Sequence, residues 1–125
     1  MAIEKILVPI DFTPASDAAL SYALMIADET GAEVEVLYVW QPTAIFADSP
    51  EGVAMEQRLS AAELEHHAAR VCGRLEFGDE IERVILAILE REQFDLVVMG
   101  ADEGDSHVAE SVVKTAPCKV VLKAA

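Results

Sequence analysis

The sequence predicts an α/β domain built on a parallel sheet, and three observations carry that prediction. Short apolar runs of strand length alternate with longer segments whose apolar residues recur at helical spacing. The first and fourth of these runs are apolar nearly throughout, as strands buried on both faces of a sheet are. Five such strands with helices between them imply parallel pairing and right-handed crossovers. At 125 residues the chain is near the usual size of one domain, and no repeat or Pro/Gly/Ser linker divides it. Residues 1–125 are therefore read as a single domain.

The elements follow in order. Ile6 to Ile10 (ILVPI) is the first strand, bounded by Asp11. Thr13-Pro14 supplies a helix N-cap followed by proline at the first helical position. Leu20, Ala23, Leu24 and Ala27 then recur at helical spacing until Gly31 stops the helix. Val34 to Trp40 is the second strand. Gln41 to Gly52, with two prolines and a glycine, reads as a loop. A second helix is expected from about Val53 to Val71, with Met55, Leu59, Ala62 and Ala69 as its inner stripe, and Gly73 to Phe77 as the third strand. Gly78-Asp79 opens the third helix, where Asp79 and Glu82 resemble a capping box. Its apolar face is Ile81, Val84, Ile85, Ile88 and Leu89. Asp95 to Met99 is the fourth strand, ended by Gly100. Ser106 or His107 begins a short fourth helix with Val108, Ala109, Val112 and Val113 inward, Pro117 closes it, and Val120 to Leu122 is the fifth strand.

Composition narrows the function. An apolar content of 53% excludes disorder. No apolar run reaches the length of a membrane span, and Met1 to Val8 reads as a strand, without the basic region and cleavage site of a signal peptide. A formal charge of −14, with only nine Lys and Arg, supplies no basic face for nucleic acid or an anionic membrane. Cys72 and Cys118 have no metal-like spacing; as one pair they could form a bridge, but they are read as buried, reduced thiols of a cytoplasmic protein.

In open parallel sheets ligands bind outside the carboxyl ends of the strands, where the strand order reverses. Two ends stand out: Pro9-Ile10-Asp11 after the first strand, and Met99-Gly100-Ala101-Asp102-Glu103-Gly104 after the fourth. With those strands adjacent, Asp11 accepts a hydrogen bond from a ribose hydroxyl or a base amine, and Gly100 admits a ligand close to the backbone. The plainer reading stands beside it, in which Asp11 satisfies loop amides and Gly100 makes a turn.

The stretches Lys5-Ile6-Leu7-Val8-Pro9-Ile10-Asp11-Phe12-Thr13, Phe77-Gly78-Asp79, Asp95 to Gly100 and Val108 to Leu122 together resemble the universal stress protein (UspA) family. The resemblance covers nearly the whole chain in the right order. It implies a single three-layer, Rossmann-like domain of the adenine nucleotide alpha hydrolase-like type, with a five-stranded parallel sheet of order 3-2-1-4-5 and helices on both faces. It also implies a homodimer through the fifth strands, here Val120, Val121 and Leu122. In members that bind ATP, adenine and ribose lie near the positions matched by Asp11 and Val39. Their phosphates lie against a G-x2-G-x9-G-S/T loop leading into the fourth helix, where glycines expose backbone N–H groups.

This sequence departs from that loop. Gly100 and Gly104 are separated by three residues instead of two, and Ser106-His107 stands where the pattern has glycine followed by Ser or Thr. Asp102, Glu103 and Asp105 occupy the shortened connection. Two like charges at 4 Å repel by roughly 4 kcal/mol at an intermediate dielectric, nearly a thousandfold in affinity. A magnesium ion bridging carboxylate and phosphate would offset that repulsion.

Other constellations are weaker. Glu63, His66 and His67 form E-x-x-H-H on the second helix and read as a solvated polar face. No serine lies in a nucleophile-elbow pattern. Tyr38 and Trp40 either roof the crevice or pack in core or interface. The resulting expectation is a non-catalytic stress-response module, dimeric, with no metal and no cofactor, its ATP binding impaired or absent. The alternative is an ATP-binding switch or slow ATPase, with Pro9, Ile10, Asp11, Val39, Met99 and Gly100 at the base and Gly104, Ser106 and His107 at the phosphates.

Overall fold

The computed structural model describes residues 3–40, 49–65, 70–101 and 107–125. Along it run β1 (Lys5–Pro9), α1 (Pro14–Thr30), β2 (Glu33–Trp40), α2 (Pro50–Glu65), β3 (Arg70–Phe77), α3 (Ile81–Arg91), β4 (Leu96–Gly100), α4 (His107–Thr115) and β5 (Lys119–Lys123). All pairings are parallel, in the order β3-β2-β1-β4-β5. The order reverses between β1 and β4, so this is the expected 3-2-1-4-5 sheet.

The uninterrupted apolar runs occupy the centre because both faces there are covered. Ile6, Val8, Val34, Val36 and Val98 pack toward α1 and α2, against Leu20, Ala23, Leu24, Ala27, Met55 and Ala62. Leu7, Leu37, Val97 and Met99 pack toward α3 and α4, against Ile85, Ile88, Leu89, Ala109 and Val112. Burial of each large aliphatic side chain contributes about 1.5–3 kcal/mol. Among the described residues no helix is long and apolar enough to cross a membrane.

Local signals place α1 as expected. Thr13 Oγ1 accepts from the Ser16 N–H at 3.3 Å, with Pro14 at the first helical position. Gly31 ends the helix at φ 76°, donating its N–H to Ala27 O at 2.8 Å.

Five expectations are corrected. First, α2 starts at Pro50, inside the segment read as a loop: Ser49 Oγ accepts from the Gly52 N–H at 3.0 Å, and Pro50 follows as the first helical residue. Second, β3 starts at Arg70 and not Gly73, because Glu33–Trp40 pairs residue for residue with Arg70–Phe77; Val71 therefore belongs to a strand. Third, Glu80 and not Asp79 takes the N-cap position of α3. The Glu80 side chain makes no capping hydrogen bond, and its carboxylate pairs with Arg83 at 2.8 Å. Fourth, Val113 is half exposed, because α4 covers the sheet only through Ala109 and Val112. Fifth, Cys72 is exposed on edge strand β3, while Cys118 is half-buried; both are free, and burial pushes both thiols up. His66, His67, Ala69, Asp102, Glu103, Gly104, Asp105 and Ser106 lie outside the described residues, and Glu63 is exposed.

Candidate functional site

A cavity of about 270 Å³ opens at the carboxyl ends of the central strands, beside the reversal in strand order. That is slightly below the usual range for small-molecule pockets. Its floor is Pro9, Leu37 and Met99, its far wall Ile81 and Ile85 of α3 with Val108 and Ala109 of α4, and its rim Asp11, Ser16 and Tyr38. Ile10, Val39 and Gly100 complete the lining.

Of the residues expected at a site, Pro9, Ile10, Asp11, Val39, Met99 and Gly100 are brought together here. His107 is not in the lining: its exposed ring places Nε2 3.7 Å from Glu82 Oε1, joining the starts of α4 and α3. The contributions of Ser16, Ile81, Ile85 and Val108 were not anticipated as site residues. A signal for them exists. A crossover helix begins at the carboxyl edge of the sheet, so its first inward residues face the crevice. Ile81, expected in the core, is 41% exposed for that reason.

Asp11 combines the two readings offered for it. Its Oδ1 accepts from the Thr13 N–H at 3.1 Å and from Thr13 Oγ1, closing a turn, while Oδ2 accepts from none of the described residues. The Asp11 N–H points to Ser16 Oγ at 3.4 Å, and that hydroxyl donates to Thr13 O at 3.0 Å. Gly100 is required by packing as well as by any ligand. A Cβ at that position would lie 2.5 Å from Ala15 C and Ser16 N, so the backbone that approaches it is that of α1.

Phe12, between Asp11 and Thr13, has φ 63°. A left-handed backbone costs an aromatic L-residue roughly 1–2 kcal/mol, so its surroundings must hold it. Its ring lies 4.8 Å from that of Tyr38, and the Arg58 guanidinium lies 5.0 Å from its centre. Tyr38 in turn is 6.1 Å from Trp40, centroid to centroid. Burial, then the nearby Glu51 and Asp11 carboxylates, push the Tyr38 phenol above its ordinary value, so at neutral pH it remains a hydrogen-bond donor.

Chemically, the cavity is a largely apolar slot with a phenol at its mouth and one carboxylate oxygen that has no partner among the described residues. Among the described residues lining it there is no Lys, Arg, His or Cys, and the Ser16 hydroxyl is already engaged by backbone. Such a slot suits a flat, apolar-faced ring bearing a hydrogen-bond donor. Among the described residues no three His, Cys, Asp or Glu side chains gather as metal ligands would.

Comparison with known proteins gives a consistent outcome. The universal stress protein family model matches residues 2–122. Universal stress protein UspA from Lactobacillus plantarum is similar at TM-score 0.80 and 25% identity, over 98% of this chain and 99% of that one. The universal stress protein from Archaeoglobus fulgidus in complex with dAMP is similar at TM-score 0.73 and 20% identity, over 98% of this chain and 99% of that one. A universal stress protein family protein from Arabidopsis thaliana with AMP bound is similar at TM-score 0.70 and 19% identity, over 97% and 91%. No curated protein matches the chain.

Proposed function

Because the chain belongs to the universal stress protein family, we propose that it is a non-catalytic stress-response module of the cytoplasm, acting by occupancy and partner binding without turnover. Its cleft takes the nucleoside end of an adenine ligand and disfavours a polyphosphate tail. The observation that carries this reading is the lining of the cavity: apolar walls, one carboxylate, and no cation among the described residues. The sequence that follows Gly100 adds Asp102, Glu103 and Asp105 where phosphates would need donors. Relatives in complex with AMP and dAMP support the adenine part.

The same relatives favour a second reading, an ATP-binding switch or slow ATPase using Asp11 and Gly100, with Gly104, Ser106 and His107 near the phosphates. Calorimetric titration separates the two. Adenosine and AMP are expected to bind at least about tenfold more tightly than Mg·ATP, since magnesium offsets part of the roughly 4 kcal/mol repulsion of one like-charge contact. Micromolar Mg·ATP affinity that disappears in Asp11→Ala establishes the second reading instead.

The module is also proposed to be a homodimer through Val120, Val121 and Leu122. β5 is a sheet edge that pairs only with β4, and Leu122 is 42% exposed on it; an open edge invites pairing with a second copy. Light scattering is expected to give the mass of two chains, falling to one in Leu122→Glu. A parent protein that scatters as a single chain removes this interface.

A further inference from the structure

Arg58 lies on α2 and does not line the cavity, yet its guanidinium reaches Phe12 in the turn that follows Asp11. Its Nε donates to Asp17 Oδ1 at 2.7 Å and its Nη2 to Asp17 Oδ2 at 3.1 Å, while Nη1 reaches Ala54 O at 3.2 Å. Thus the guanidinium is anchored to both α1 and its own helix, with its plane fixed by three hydrogen bonds. It faces the Phe12 ring, whose other neighbour is Tyr38. Phe12 is the middle residue of the turn closed by Asp11 Oδ1 and the Thr13 N–H, and it is the one non-glycine residue with positive φ among the described residues. Rotating φ at residue 12 to an ordinary negative value would swing the Thr13 N–H and hydroxyl relative to Asp11, and the carboxylate would lose the two hydrogen bonds that orient it at the rim. Strained backbone persists where neighbouring structure over-determines it, and such places cluster at sites.

We propose that Arg58 is a positioning residue: by clamping Phe12 in the left-handed region it fixes the Asp11 carboxylate at the mouth of the cleft, so that docking of α2 and occupancy of the cleft are coupled. The ligand half of this inference rests on the reading of the cleft as an adenine-ligand site; the geometric half does not. Coupling is reciprocal. A ligand that needs Asp11 in place holds α2 down, and loss of α2 docking releases the ligand.

Two readouts on the full chain test this. Calorimetry with adenosine as the probe is expected to show roughly tenfold weaker binding in Arg58→Ala, the scale of the backbone preference being released. In Arg58→Lys, which keeps the cation, the loss is expected to stay within about threefold. A purely structural role for Arg58 moves the melting temperature and leaves the affinity of folded protein alone. Glycine at position 12 adopts positive φ without a clamp. Accordingly Arg58→Ala is expected to cost less than about twofold in a Phe12→Gly background, a non-additive cycle. The second readout needs no ligand: the Thr13 amide and Asp11 carboxyl resonances are expected to shift in Arg58→Ala and to shift less in Arg58→Lys, which keeps the cation but not the fork on Asp17. Resonances that superimpose in parent and Arg58→Ala overturn the clamp whatever the affinities are. A parent protein that does not bind adenosine overturns the reading of the cleft, and leaves the clamp to be decided by those resonances. Equal losses from Arg58→Ala in both backgrounds overturn the role assigned to Phe12.

Discussion

Gly100→Ala is expected to destabilise the protein by about 3 kcal/mol and to lower its melting temperature by about 10 °C. The reason is the nature of the obstacle. A Cβ would lie 2.5 Å from Ala15 C and Ser16 N and 2.8 Å from Ala15 O. These are backbone atoms in the buried first turn of α1, and no rotamer change moves them aside. The first turn would have to lift off β4, carrying with it the Thr13 cap and the turn at Asp11, so loss of any cleft ligand is expected together with loss of stability. Gly73 is the natural control. There the nearest atom to an added Cβ is Leu59 Cδ1 at 2.7 Å, the far end of a flexible side chain. Gly73→Ala is therefore expected to cost clearly less than Gly100→Ala. Thermal unfolding of both variants checks the pair, and a Gly100→Ala protein melting within about 2 °C of the parent contradicts the close approach.

The same glycine shows where sequence reading succeeds and where it stops. That Gly100 ends the fourth strand follows from an apolar run, and that this end meets Asp11 follows from the strand order the family resemblance implies; the structure has both. What crowds the glycine is the α1 backbone, some 85 residues earlier in the chain, and no local pattern announces that. Thr13-Pro14 and Gly31 were legible because a cap and a stop are made by neighbours in sequence. Ser49-Pro50 carries the same cap-then-proline signal as Thr13-Pro14 but sits beside Gly52, and the surrounding turn residues outweighed it. At α3 the Asp79/Glu82 spacing matched a capping box, yet Glu80 takes the N-cap position, so Glu82 falls at the second helical residue and not the third. In the candidate site, the strand ends were legible and the helix starts were not, because assigning Ile81 and Val108 to the crevice requires knowing which edge of the sheet each helix begins on. Phe12 was opaque for a different reason: a positive φ on an aromatic residue is imposed by tertiary contacts with Tyr38 and Arg58.

Arg74 is the largest feature without a signal in the local sequence pattern, and its removal carries the other large expected effect. On β3, its Nη1 lies 2.6 Å from Glu92 Oε2 and 3.4 Å from Glu35 Oε1, and its Nε lies 3.0 Å from Glu76 Oε2. Lys5 adds a contact to Glu92 at 3.6 Å. Burial disfavours the Arg74 charge, but hydrogen bonds to Glu92 and Glu76 and the nearby Glu35 outweigh it and raise its pKa further. The Glu35 side chain is only 12% exposed, and its Oε2 has no hydrogen-bond partner among the described residues. Arg74→Met would leave that carboxylate buried without its cation, and breaking a buried pair in this way costs about 3–5 kcal/mol. The lower end is expected here, because Glu76 and Glu92 are each about a third exposed and water screens them. Adding Glu35→Leu to Arg74→Met is expected to recover more than half of the loss, since the stranded charge is then gone. The pH dependence has a definite sign. The hydrogen bond from Arg74 holds the Glu92 carboxyl below the ordinary glutamate value despite its burial. A carboxylate depressed on folding stabilises above its unfolded pKa and loses that contribution as pH falls through its folded pKa. The difference between parent and Arg74→Met is thus expected to be full at neutral pH and to shrink below about pH 4.5. Urea unfolding at pH 7 and pH 3.5 measures it; a gap that is absent at pH 7, or unchanged at pH 3.5, shows that the guanidinium does not hold this corner of the sheet.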